Sequence, residues 1–196
     1  MKKLFTPIIA LLTLVFVSAV LAADYDIDKS HTNIGFKVRH MVIAKVNGNF
    51  SDYSGQISFD PNAPEKSSIS VTIQVASIST ENEKRDAHLK SPDFFDAAKY
   101  PTITFVSKSV KKTADKKYVA VGDLTIRGVT KAIELPFEVT GMVKDPWGNE
   151  RMGIEASTTI NRQDFGVSWN KTLDAGGVVV SDDVEIIIEA ELIKKK

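Results

Sequence analysis

Between Ser68 and Val75 the chain reads Ser-Ile-Ser-Val-Thr-Ile-Gln-Val, so that Ile69, Val71, Ile73 and Val75 occupy alternate positions. A period of two gathers those four side chains on one face of an extended strand, which no helix can do. The same beat returns at Ile34, Phe36 and Val38, at Ile57 and Phe59, along Ile103 to Val106, at Leu124 and Ile126, and at Ile133, Leu135, Phe137 and Val139. It returns again at Met152, Ile154, Ala156 and Thr158, and at Val184, Ile186, Ile188 and Ala190. About eight strands follow, each with one apolar face.

The runs are separated by turn chemistry at short spacing: Asn47-Gly48, Asp60-Pro61-Asn62, Arg127-Gly128, Asp145-Pro146-Trp147-Gly148-Asn149 and Gly176-Gly177. Each offers a residue that tolerates positive φ or fixes a bend, so neighbouring strands should run antiparallel. A meander of this size hides its edges by closing into a barrel, with a two-sheet sandwich as the rival arrangement. One stretch breaks the pattern. Thr80 to Lys90 reads as a short helix with Thr80 as N-cap and Glu83 three residues on, and Ser91-Pro92 can open a second turn that presents Phe94 and Phe95 as a plug or lid.

The first residues are of another kind. Lys2 and Lys3 precede a charge-free, mostly apolar run from Leu4 to Leu21, and Val20-Leu21-Ala22 supplies the small residues of a cleavage site. An export signal over 1–22 is expected, a retained anchor being the alternative, and 23–196 is then a single domain bound for the periplasm. Cysteine is absent, which removes disulfides, thiolate chemistry and a lipid-modified cysteine, so no stable membrane anchor is expected after cleavage. With 25 basic and 25 acidic residues, net charge argues for neither a nucleic-acid partner nor an anionic membrane surface.

Chemistry-bearing motifs are sparse. No Gly-x-Ser-x-Gly turn or phosphate-binding glycine loop occurs, and no two of His31, His40 and His88 stand at a zinc-binding helical spacing. Neither catalysis, a metal nor another cofactor is expected. Asp93 with Asp96, and Asp182 with Asp183, lie in polar connecting segments where capping or solvated charge is the ordinary role.

An ordered series of motifs spans the chain. It begins with Tyr25-Asp26-Ile27-Asp28, Ser30-His31-Thr32-Asn33-Ile34-Gly35-Phe36, Val38-Arg39-His40 and Gly48-Asn49-Phe50. Its densest block is Ser77-Ile78-Ser79-Thr80, Arg85-Asp86-Ala87-His88-Leu89, Asp93-Phe94-Phe95-Asp96 and Tyr100-Pro101. Gly122-Asp123-Leu124-Thr125-Ile126-Arg127-Gly128, Asp145-Trp147-Gly148, Asn161-Arg162-Asp164-Phe165-Gly166 and Trp169 complete it. In these the chain resembles the YceI-like family of exported lipocalin-like proteins. The resemblance implies an eight-stranded antiparallel lipocalin-like barrel with one or two short helices, holding a long-chain isoprenoid lipid of polyprenyl or quinone type.

On that reading the ligand-binding candidates are Phe36, Val38, Phe59, Ile73, Phe94, Phe105, Phe137 and Ile154, with Arg85 and His88 toward a headgroup. Two alternatives stay open at the residue level. The inward side chains can equally fill the barrel as a solid core, and the Arg85-Asp86-His88 cluster can equally tie the helix to the barrel mouth. Arg162, Asp164, Phe165 and Trp169 read as a bulged corner turning at Gly166, or as a mouth loop. Alternative roles are an enzyme acting on a lipid-linked substrate at the mouth, or a protein-interaction module of the respiratory membrane. A homodimer is also compatible with an exposed strand edge.

Overall fold

Along Lys117–Ile126 every second residue is buried, with Tyr118, Ala120, Gly122, Leu124 and Ile126 facing in, which is the alternation expected of a barrel wall wet on one side. The computed structural model describes residues 22–173 and 176–196, so the expected export signal lies outside the described residues apart from Ala22. Its strands are β1 (Ala23–Ile27), β2 (Asn33–His40), β3 (Ala44–Phe50), β4 (Tyr53–Phe59), β5 (Ser68–Gln74) and β6 (Ile78–Ser79). Helix α1 (Glu83–Lys90) follows, then β7 (Thr102–Ala114), β8 (Lys117–Ile126), β9 (Val129–Lys144), β10 (Glu150–Asn161) and β11 (Val180–Lys194).

Pairing runs β1-β4-β5-β7-β8-β9-β10-β11, and β11 returns to β1 through Ile27↔Leu192 and Tyr25↔Lys194. These eight strands close an antiparallel barrel with no free edge along that circuit. The rest of β11 pairs with β2, from Glu189↔Asn33 to Val180↔His40, and β2-β3-β6 carries the wall beyond the closed ring. At one end the barrel has an aromatic floor: Phe59 meets Tyr118 edge-on at 5.1 Å, and Tyr118 stacks on Phe137 at 5.3 Å.

Three local expectations change. Asn47-Gly48 is no turn but lies inside β3, opposite Lys37 and Phe36. A Cβ on Gly48 would stand 2.3 Å from the Phe36 ring, so glycine is there to let that ring cross the neighbouring strand. The hairpin turns instead at Met41 and Val42, both at positive φ (49° and 65°). The helix is capped by Asn82, whose side chain accepts from Arg85 N–H at 3.0 Å, rather than by Thr80. Thr80 N–H donates to Asp86 at 2.9 Å, because β6 runs as far as Ser79 and holds Thr80 outside the first helical turn. The Ser91-Pro92 segment makes consecutive turns and no second helix.

Candidate functional site

Inside the barrel is a cavity of about 240 Å³ whose walls are almost wholly aliphatic and aromatic. The strands deliver these side chains by the alternation seen in the sequence: Ile69, Val71 and Ile73 from β5, Ile103 and Phe105 from β7, Leu124 and Ile126 from β8. Phe36, Val38, Phe59, Ile73, Phe94, Phe105, Phe137 and Ile154 all stand in the lining. Several are also tightly packed, for Phe59 is 2% exposed and Phe94 5%. The interior is thus part core and part void, between the two arrangements left open by the strand pattern.

The end away from the aromatic floor is closed by the segment that follows β6. Leu89 from α1, then Phe94 and Phe95, point into the cavity. Phe95 meets Phe50 edge-on at 6.4 Å, and Phe50 contacts Phe36 at 5.9 Å, so the cover is continuous with the β2–β3 wall. The segment is bracketed by Glu81 and Asp96, two non-glycine residues at positive φ (61° and 51°). Across it, Phe95 N–H donates to Leu89 O at 3.0 Å and Tyr100 N–H to Asp96 O at 2.8 Å.

Arg85 and His88 are not in the lining. The Arg85 guanidinium is turned back on Thr80, donating from Nε to Oγ1 at 2.7 Å and from Nη2 to the carbonyl at 2.8 Å. His88 Nε2 lies 2.9 Å from Asp93, and its ring sits edge-on to Phe94 and Trp169, each at 4.9 Å. Both side chains fasten the cover to its surroundings. The Asp93 carboxylate pairs with the His88 imidazole and the Asp86 carboxylate accepts from Thr80, and none of these groups lines the cavity.

Two arginines do what the strand pattern could not show. Arg162, 5% exposed, borders the cavity, yet its donors are spent on carbonyls: Ser181 at 2.9 Å, Val167 at 2.6 Å and Trp169 at 2.9 Å. Burial pushes its pKa down, and Asp182, 3.4 Å from Nη2, only partly opposes this. It ties the 3-10 turn Arg162–Phe165, which ends at Gly166 (φ 72°), to the start of β11. Arg127, in the β8–β9 turn, donates to Pro92 O at 2.8 Å and to Gly166 O. The only hints in the sequence were arginines beside glycine turns.

Among the described residues one group has the composition of a metal site: Asp28, His31 and Glu191. Its centre is taken by the Arg151 guanidinium, which donates to Asp28 at 2.7 Å, to Glu191, and through Nε to Asp145 at 2.7 Å. The His31 bond and then Arg151 hold the Asp28 carboxyl well below the usual range, while Asp28 raises the His31 pKa. The group works as an ion-pair clasp joining the β1–β2 link to β10 and β11.

A closed eight-stranded antiparallel barrel with an apolar interior and one covering segment defines the lipocalin-like class of barrels. The YceI-like domain model matches residues 25–192, and the chain belongs to that family. It is 44% identical over 184 residues to the UPF0312 protein of Pseudomonas fluorescens, covering 90% of both chains. The crystal structure of the Campylobacter jejuni YceI protein superposes with a TM-score of 0.70 at 42% identity, over 86% of this chain and 96% of that one. A Saccharophagus degradans structure described as a polyisoprenoid binding domain shares the fold, with a TM-score of 0.66 at 15% identity over 89% of this chain and 99% of that one.

Proposed function

We propose that the chain is a non-catalytic carrier that holds a long-chain isoprenoid lipid, of polyprenyl or quinone type, in the barrel interior, and that it works in the periplasm after loss of residues 1–22. The carrying observation is the cavity of about 240 Å³ with almost no polar wall. Burying a tail there is worth roughly 0.8 kcal/mol per CH₂. A hydrocarbon slot with no converging acid and base favours holding over turnover. The description of the Saccharophagus degradans protein as polyisoprenoid-binding points the same way.

The volume also says how a tail is seated. It exceeds the ~150 Å³ of an engineered cavity that takes benzene, but is below the ~300–1,000 Å³ of pockets for drug-sized ligands. A long tail therefore requires the lining to yield, and the cover carrying Leu89, Phe94 and Phe95 is, with the corner carrying Phe165 and Val167, a part of it not held by ladder bonds.

Mass spectrometry of protein isolated from its native periplasm, run natively and again after organic extraction, tests this reading. One isoprenoid per barrel is expected. Protein that is bare, and that takes up neither a supplied polyprenol nor a quinone, overturns it.

A further inference from the structure

The β2–β3 turn spends apolar side chains where the fold asks for none. A two-strand hairpin needs residues that accept positive φ, and Asn or Gly does so at least steric cost. Here Met41 and Val42 take that conformation, and Val42 is β-branched. Nor are they buried: Val42 is 62% exposed and Ile43 83%. Met41 N–H donates to Val179 O at 2.8 Å, which brings the exposed Val178 alongside. Met41, Val42, Ile43 and Val178 are half of the large exposed hydrophobics among the described residues, and they form one crown.

On the hairpin that carries the crown the charge has one sign. From Asn33 to Phe50 the hairpin carries Lys37, Arg39, His40 and Lys45 and no acidic residue. Lys171 stands exposed on the adjoining loop, joined by its carbonyl to Val179 N–H at 3.0 Å. Among the described residues the nearby acids lie back along β11. Glu185 is opposite Lys37, Asp182 accepts from Gln163 at 2.9 Å, and Asp183 shares a shallow outer groove with Lys37, Arg39 and Lys45. The chain is neutral as a whole, so this is a local pattern: an apolar tip collared by Arg39, His40 and Lys45.

We propose that this tip docks the barrel on an anionic lipid bilayer, with Met41, Val42 and Ile43 entering the headgroup boundary and the basic collar resting on the phosphates. An apolar patch ringed by cations is the pattern of interfacial membrane binding. Four side chains fall far short of the ~800 Å² per partner of a stable protein interface, whereas a bilayer accepts a few inserted groups. The tip also sits at the covered end of the cavity, since His40 pairs with Val180, and Val180 and Val38 both line it. Docking stands on the tip alone, so it can fail without the carrier reading failing.

The test is vesicle flotation of the processed protein isolated from the periplasm, with its bound lipid measured in the same preparation. Phosphatidylglycerol-containing and pure phosphatidylcholine vesicles are compared. Wild type is expected to float with the anionic vesicles, and Val42→Ser with Ile43→Ser to lower the bound fraction about tenfold while melting as wild type does. Arg39→Gln with Lys45→Gln should weaken binding and flatten its salt dependence. Ile43→Trp should emit at shorter wavelength on anionic vesicles and be quenched by brominated acyl chains. On a Trp169→Phe background, which leaves one native tryptophan, Trp147 (79% exposed) should stay unquenched, because it lies at the far end of β10 and β11, near Arg151↔Ile193. Absence of wild-type flotation, equal flotation of the serine variant, or quenching of Trp147 overturns the proposal. So does a concentration-dependent dimer that the serine variant abolishes, which assigns the tip to a second copy.

Discussion

Arg127 Nη2 donates to the carbonyl oxygen of Pro92 at 2.8 Å, joining the β8–β9 turn to the segment that covers the cavity. The same guanidinium reaches Gly166 O, so one side chain bridges the cover and the corner after β10. A charge-assisted bond of this kind is stronger than a neutral one, and here it spans 35 residues of sequence. It fastens the segment that covers the cavity to the barrel, beside the contact of His88 with Trp169.

Arg127→Ala should therefore loosen the cover without unfolding the barrel. Amide hydrogen exchange is expected to speed up over Asn82–Tyr100 while β8 and β9 keep their protection, and bound lipid should exchange faster. Unchanged exchange across that segment would show that the aromatic contacts of Phe94 and Phe95 hold it unaided.

Ile73→Trp fills the cavity from a central strand. Ile73 is half-buried and faces the void, so the larger ring is expected to displace lipid at a stability cost of about 1–3 kcal/mol. Native mass spectrometry paired with circular dichroism checks it. A folded variant with undiminished lipid content counts against the cavity as the binding site.

Arg162→Met should be among the most damaging single changes. It leaves the carbonyls of Ser181, Val167 and Trp169 without their donor, and a buried acceptor left unmade costs about 1–3 kcal/mol. Urea unfolding should show a loss of several such increments, on the order of 3–5 kcal/mol. Arg162→Lys should not restore it, because one ammonium cannot reproduce a planar fork aimed at separate carbonyls.

The clasp around Arg151 sets the pH dependence. Asp28 is depressed from 3.8 by His31 and Arg151; Asp145 is depressed by Arg151 and Asn149, against an opposing push from burial. Their contribution is present above the ordinary carboxylate value and lost as pH falls through the folded one. His31 is raised from 6.5, so its contribution is full below that value and fades as pH rises through the raised one. Calorimetric melting temperatures should fall in acid and decline gently above neutrality. His31→Gln should remove the alkaline decline and soften the acid limb, since its bond is the largest cause of the Asp28 depression; Asp28→Asn should do both and also remove one of the carboxylates that Arg151 holds.

A period of two leaves one apolar face per strand, which a closed barrel or a two-sheet sandwich can bury, and the return of β11 to β1 decided between them. The sequence by itself determined the strands with an uninterrupted apolar beat. It failed at β3, where Gly48 interrupts the beat because Phe36 from the next strand occupies its space, a contact between strands that no single strand encodes. The hairpin turn was misplaced for the same reason: register with β2 put the bend on Met41 and Val42, against their own preferences. Seven inward side chains on strands were legible as lining because alternation tells in from out, and Phe94 as a plug from its turn, yet whether they met or left a void depended on the barrel's width. The directions of Arg85, His88, Arg127 and Arg162 were decided wholly by tertiary structure. A long polar side chain goes to whichever unpaired carbonyl or carboxylate the fold brings within reach, and those partners lie in other elements.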